Sequence, residues 1–253
     1  MKSAGRCRIG TSGYVYRHWK EIFYPPGLPV RDWLDWYARQ FDTVELNNSF
    51  YRLPSADAFE AWRRRVPADF LFAVKFSRYG SHLMRLKNPR DTIRRFDANA
   101  SHLRRNLGPV LVQLPPNWNV NCGRLEEFLA RVPRRQKWSV EFRDPRWLRP
   151  EVYHILRRHR VALCIHDKIA DHPREITAPW TYLRFHGAQQ EGGNYSPAQL
   201  QSYAREITGF VQSGLDVYAY FNNDWHGFAI ANAQALRAVL GIDAAQPRGL
   251  RSA

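Results

Sequence analysis

The sequence predicts an α/β chain folded as a single (β/α)8 TIM-type barrel with a degenerate sixth helix. Three observations predict it. Eight short apolar or alternating runs recur along the chain, helical patterns separate most of them, and the length is 253 residues, close to the roughly 250 typical of such a barrel. Strands that alternate with helices imply parallel crossovers, and eight such units imply a closed barrel more readily than an open doubly wound sheet. No repeat or linker divides the chain, so residues 1–241 read as one domain and 242–253 as a flexible C-terminal tail.

The runs at 6–10, 43–47, 70–75, 109–114, 138–143, 161–166, 180–186 and 216–222 read as strands. Ser55 caps a helix carrying Phe59, Trp62 and Val66, spaced three and four apart. Asn88 and Pro89 supply an N-cap and a first-turn proline ahead of Ile93, Phe96, Ala100, Leu103 and Leu107, with Gly108 and Pro109 ending the run. Ser196 and Pro197 do the same ahead of Leu200, Tyr203, Ile207 and Val211. The sixth unit is the exception. Between Asp167 and Trp180, "DKIADHPREITAPW" is short and broken by proline, which predicts a turn in place of a helix.

An apolar fraction of 44%, with 9 Trp, 12 Tyr and 14 Phe, supplies a core and excludes wholesale disorder. "MKSAGRCRIGTSG" has no apolar segment behind its basic residues, and no run approaches the roughly 18 apolar residues of a membrane span. The expectation is a cytoplasmic protein with no membrane partner. Cys7, Cys122 and Cys164 are widely spaced without a C-x-x-C pair, which argues against disulfides and a thiolate zinc site. The net charge of +15 comes mostly from Arg and attracts polyanions. The pairs and triplets at 63–65, 94–95, 104–105, 134–135 and 157–158 sit on or just after helical segments, where a solvated outer face is the plainer account of them.

Alternation decides which strand residues enter the barrel. In "TVELNN" Val44 and Leu46 face the helices and leave Glu45 and Asn47 inward; "WSVEFR" leaves Glu141 and Arg143, and "YLRFHG" leaves Arg184 and His186. Lys75 and Gln113 close the third and fourth strands, and His166 and Asp167 the sixth. Parallel strands are normally near-continuously apolar, so buried charges at their C-terminal ends need partners or a ligand. The glycine-bearing turns "GTSGY" (10–14) and "EGGNYSP" (191–197) lead from strand ends, and Gly192, Gly193 and the Asn222, Asn223 and Asp224 turn stand after the seventh and eighth strands, where barrels commonly hold phosphate. Tyr14, Tyr16, Trp19, Tyr51, Tyr79, Trp118, Trp147, Tyr195 and Trp225 all follow strands and suggest a stacking rim.

"GTSGY", "HWKEIFYP", "VELNNSFYRLPS", "LGPVLVQLPP", "SVEFRDPRW", "YLRFHG" and "YAYFNNDWHGFAIANA" resemble, in order and over nearly the whole chain, the YecE-like family, domain of unknown function 72. The resemblance implies a TIM-type barrel and no particular activity. Its signature positions fall here on Gly13, Glu45, Asn47, Tyr51, Lys75, Gln113, Glu141, Arg143, Arg184, His186 and the 222–224 turn, among others. The chain departs from the pattern at Tyr14, where the family often has Trp, and in its Arg-heavy exterior.

The functional expectation is an enzyme, of hydrolase or isomerase type, acting on a small phosphorylated or carboxylated, sugar-like substrate. Arg184, Arg143 and Lys75 with Asn222, Asn223 and Asp224 hold the anion, Glu45 or Glu141 is the general base, and His186 moves a proton. Asn47, Tyr51, Gln113 and Gly13 complete the substrate site. No cofactor is expected, with a divalent metal left as the lesser alternative: Glu141, His166, Asp167, His186 and Asp224 are ligand types for one, but Arg143 and Arg184 beside them repel a cation unless a bound anion intervenes. Two alternatives stand beside this: a nucleic-acid binding or processing protein that uses the basic surface and aromatic rim, and a non-catalytic ligand sensor. The sequence sets no oligomeric state.

Overall fold

In the computed structural model, which describes residues 3–187 and 192–242, eight parallel strands surround a filled interior. They are β1 (Cys7–Thr11), β2 (Thr43–Leu46), β3 (Leu71–Lys75), β4 (Leu107–Gln113), β5 (Trp138–Glu141), β6 (Ala162–His166), β7 (Trp180–Phe185) and β8 (Asp216–Phe221). The sheet runs β1-β8-β7-β6-β5-β4-β3-β2. Its two ends meet at the C-terminal side, where a parallel bridge joins Ser12 to Glu45 and Gly13 N donates to Glu45 O at 2.8 Å. Below that point the Tyr37 hydroxyl fills the seam, accepting from Thr11 N at 3.0 Å and donating to Thr43 O at 3.1 Å. Gly10 permits the approach, since a Cβ there would stand 2.3 Å from Thr43 O.

The alternation reads correctly. Val44, Leu46, Val140, Phe142, Leu183 and Phe185 join the outer core beneath the helices. A separate inner cluster stacks Trp180 and Tyr218 near the base and Tyr182, Tyr220, Ala73 and Cys164 above them. The barrel is thus a packed core with a charged top layer, not a pore.

The helices are α1 (Trp33–Gln40), α2 (Asn48–Tyr51), α3 (Ala56–Arg64), α4 (Pro89–Ala100), α5 (Cys122–Leu129), α6 (Pro150–His159), α7 (Pro197–Gln212) and α8 (Phe228–Val239). Ser55 caps α3 through Ala58 N, and Ser196 forms a capping box with Gln199 on α7. Asn88 differs from expectation. It adopts a left-handed conformation at φ 47 and its side chain caps nothing, although Pro89 does begin α4. That helix stops at Ala100 and continues as a 3-10 turn to Asn106, so β4 starts two residues before the expected Pro109. Between β6 and β7 there is no helix; the Thr177 hydroxyl accepts from Leu163 N and donates to Val161 O, tying the segment to the strand.

The arginine clusters are largely matched on the helical exterior: Arg65 pairs with Asp35, Arg135 with Asp97, Arg157 with Glu175 and Arg158 with Glu126. No described helix is long and apolar enough to cross a membrane. The expected tail from 243 onward, and Glu191 of the glycine-bearing loop, lie outside the described residues.

Candidate functional site at the barrel mouth

The top layer is built around Arg184, 1% exposed at the end of β7. Its Nη1 reaches Glu141 Oε2 on β5 at 2.6 Å and its Nη2 reaches Glu45 Oε1 on β2 at 2.7 Å. Ser12 Oγ and Tyr182 OH each donate to Glu45 at 2.6 Å, while Gln113 Nε2 donates to Glu141 at 3.0 Å and Arg143 pairs with the same oxygen. Burial alone would raise both carboxyls. Arg184, helped by the hydrogen bonds and by Arg143, more than offsets it, leaving Glu45 below its ordinary value and Glu141 well below.

This geometry speaks against the expected general-base role of Glu45 or Glu141. A carboxylate held that low, with its lone pairs taken, is a poor proton carrier near neutral pH. His186, above Glu141, is kept neutral: burial pushes it down to about 4, with Arg184 and Arg143 adding to the effect and Glu141 opposing it. Asn222 Nδ2 donates to its Nδ1 at 3.0 Å, which places the ring proton on Nε2, 3.6 Å from Glu141 Oε1.

Lys75, at the end of β3, stands apart. It is 8% exposed and is the one buried lysine among the described residues. Its Nζ lies 4.2 Å over the Phe50 ring and has no hydrogen bond or ion pair among the described residues. Burial, then Arg184, lower its pKa from 10.5 to about 8 against the pull of Glu141 and Glu45. With His186 neutral, the buried layer beneath the mouth sets two carboxylates, Glu45 and Glu141, against Arg184, Arg143 and Lys75, and both carboxylates are taken up by the arginines, so Lys75 has no paired counterion. Nearby, Asn47 Oδ1 is buried without a partner among the described residues. Tyr51 is 80% exposed at the rim.

The turn at 222–224 is tied into the protein. Asn223 Nδ2 donates to Gly193 O and to Asn232 Oδ1, and Asn222 is engaged with His186. Asp224 accepts from Trp19 Nε1 at 2.6 Å and lies 3.3 Å from His18. These residues brace the loops after β7 and β8, and Asp224 brings a carboxylate to a place expected to hold an anion. Asp167 braces in the same way, accepting from His186 N and from the Tyr195 hydroxyl. Gly13, at φ 98, allows the turn after β1; a Cβ there would meet the Tyr16 hydroxyl at 2.7 Å.

The aromatic rim is narrower than the sequence suggests. Trp19, Trp118, Trp147 and Tyr195 are buried as loop core, with Trp147 stacked on Phe142 and donating to Trp118 O at 2.7 Å. Tyr51, Tyr79 and Trp225 remain exposed.

Ligand atoms of Glu141, His166 and His186 lie within 4.8 Å of one another, the one arrangement among the described residues suited to a metal ion. The cost of using it is high. His166 Nε2 donates to Phe142 O, its Nδ1 accepts from Lys168 N, and Glu141 already carries two arginines. Asp167 and Asp224 stand outside this group.

Two residues escaped the sequence reading. Tyr182 binds Glu45 beside Ser12, which the "GTSGY" motif already marked; Tyr182 was detectable, being two residues before Arg184 on the same strand face. His82 lies beside Phe50 on a π-helical turn, Tyr79–Leu83, which carries no sequence mark.

The family model described as "Protein of unknown function DUF72" matches residues 8–252. The UPF0759 protein YunF of Bacillus subtilis (strain 168) is 27% identical over 273 residues, covering 93% of this chain and 95% of that protein. The UPF0759 protein YecE of Escherichia coli (strain K12) is 32% identical over 115 residues, 45% of this chain and 42% of its own. The solved structure of a DUF72 family protein from Thermotoga maritima MSB8 matches with a TM-score of 0.85 at 27% identity, covering 93% of this chain and 99% of that one.

Proposed function

The chain belongs to the DUF72 family, and we propose that this member is a cytoplasmic enzyme whose barrel mouth binds a small anionic, sugar-like substrate by its carboxylate or phosphate and performs acid/base chemistry on it. One observation carries the reading: Lys75 is a buried cation with no counterion, placed where barrels bind their ligands. An uncompensated buried charge is costly, and an anionic ligand would neutralise it.

Lys75 and the partly exposed Arg143 hold the anion. Arg184, Glu45, Glu141 and Gln113 form the rigid floor beneath it, and Asn47 Oδ1 accepts from a substrate hydroxyl. Tyr51 and Gly13 bound the entrance, while Asn222 orients His186, which passes a proton through Nε2. Asn223 and Asp224 set the loops that surround this space.

A thermal-melt panel at moderate salt tests the reading, with phosphate, sugar phosphates and sugar acids as ligands. A ligand at a hundred times its Kd stabilises by about 2.7 kcal/mol, which for a chain of this size raises Tm by ~5–10 °C. One small anion is expected to do so, and the shift is expected to vanish in Lys75→Met. Manganese and zinc, each with a chelator control, test the Glu141, His166 and His186 group.

The nucleic-acid reading keeps one observation in its favour: Trp225, 67% exposed, stands at the mouth of a chain of net charge +15. If only oligonucleotides stabilise, with a steep loss in salt and in Trp225→Ala, that reading replaces the first.

A further inference from the structure

The chain leaving β3 carries a pair of groups that anion binding alone does not use. After Lys75 it forms the π-helical turn Tyr79–Leu83, a geometry that recurs at functional sites. The turn sets the His82 ring 4.9 Å from the Phe50 ring, nearly perpendicular to it. Lys75 Nζ lies 4.2 Å over that same Phe50 ring. An amine and an imidazole therefore flank one apolar surface.

The hydrogen bonds fix what each offers. Ser81 Oγ donates to Ser77 O at 2.9 Å, so toward His82 Nδ1, 3.0 Å away, it acts as acceptor. The proton of the neutral ring is thereby held on Nδ1, and Nε2 keeps a lone pair with no partner among the described residues. Burial, followed by Lys75 and the arginines Arg78 and Arg143, pushes His82 down to about 4, against Glu141. Burial, with Arg184 and Arg143, lowers Lys75 itself to about 8 against Glu141 and Glu45. Near physiological pH the neutral imidazole therefore stands beside an amine whose neutral fraction, though the minor form, is far larger than that of an ordinary lysine.

We propose that Lys75 and His82 form a carbonyl-condensing subsite, in which the Lys75 amine adds to an aldehyde or ketone carbon of the anionic substrate to give a Schiff base. The proposal rests on the anion reading of the mouth and names the substrate class within it: a carbonyl compound bearing a carboxylate or phosphate. The Lys75 nitrogen lone pair forms the C–N bond as the C–O π bond breaks. His82 Nε2 takes a proton from that nitrogen and delivers it to the oxygen, giving a carbinolamine. A second proton, drawn from solvent through His82, lets the hydroxyl leave as water while the nitrogen lone pair closes the iminium. The sum is amine plus carbonyl plus one proton to iminium plus water, with no oxidant or reductant.

The test uses the full chain at pH 7 with pyruvate or glyceraldehyde 3-phosphate as probe and sodium cyanoborohydride to trap the imine. Peptide mass spectrometry then locates the label among the six lysines. Lys75 has a neutral fraction far above that of an ordinary lysine, and we expect it to be labelled at least about tenfold faster than any other. Lys75→Arg keeps the positive charge but has no amine able to condense. It should lose the label at this position while retaining stabilisation by the anion found in the melt panel, and His82→Gln should slow labelling several-fold. Label spread evenly over exposed lysines, or absent from Lys75 with both probes, overturns the condensation. If anion-induced stabilisation persists in that case, the anion site stands without it; if both are absent, both readings fall.

Discussion

Replacing Arg184 with Met is expected to cost about 3–5 kcal/mol of stability, the range for removing one partner of a buried ion pair, and to lower Tm by ~6–20 °C in a chain of this size. Glu45 and Glu141 are fully buried, and Arg184 is the group that joins them. Without it two carboxylates share a low-dielectric space. The variant should also invert the response to acid. In the wild type both carboxyls lie below their ordinary 4.5. The stability they contribute is complete above that value and is lost as pH falls through their lowered folded-state values. In Arg184→Met the largest opposing charge is gone, and burial raises Glu45, left with only the Ser12 and Tyr182 hydroxyls, above its unfolded value, while Arg143 still holds Glu141; the penalty is full at neutral pH and relieved as Glu45 protonates. Calorimetric melts at pH 7 and pH 5 should therefore show the variant gaining stability on acidification through Glu45, while these two groups leave the wild type unchanged. A loss below about 1 kcal/mol, the size of an exposed pair, would remove Arg184 from the centre of the layer.

Lys75→Met is expected to do the opposite and stabilise the protein at pH 7 by on the order of 3 kcal/mol, from the drop in proton affinity at 1.36 kcal/mol per pH unit. The side chain sits over Phe50, where a thioether packs well and needs no counterion. A lysine lowered from 10.5 to about 8 is charged in both folded and unfolded states below 8, so its full cost is felt there. The cost shrinks as pH rises from 8 to 10.5, where the folded protein releases the proton first, and is gone above. Denaturant titrations at pH 7 and pH 10.5 should show a gain that closes at the higher value. A less stable Met variant at pH 7 would mean that Lys75 is a satisfied structural cation. The predicted gain is what a site that gives up stability for binding should show.

Much of this was legible because barrel strands bury both faces, so a charge between two apolar neighbours stands out. Glu45 between Val44 and Leu46, Glu141 between Val140 and Phe142, and Arg184 between Leu183 and Phe185 all declare their inward direction. Periodicity gives a face and not a partner. Arg184 reaches Glu45 across 139 positions of sequence, and only the closed barrel joins them. Following a strand marks a residue as near the mouth but does not say whether it lines the opening, which is why Trp118 and Trp147 read as rim and are loop core. His82 was invisible for a different reason: a π turn shifts the helical phase by one residue without needing a particular residue type. The bracing role of Asn223 and Asp224 depends on Gly193, Asn232 and Trp19, none of them readable as neighbours beforehand.

Every role assigned at the mouth depends on Lys75 being a buried amine without a counterion. The decisive measurement is its titration, followed through the lysine ε-methylene carbon resonances and assigned with Lys75→Arg. The Lys75 resonance is expected to titrate near 8 and to move upward when a stabilising anion is added. Titration of Lys75 near the ordinary lysine value of about 10.4 would overturn this, because an ammonium that holds its proton as it does in water has no need of a ligand.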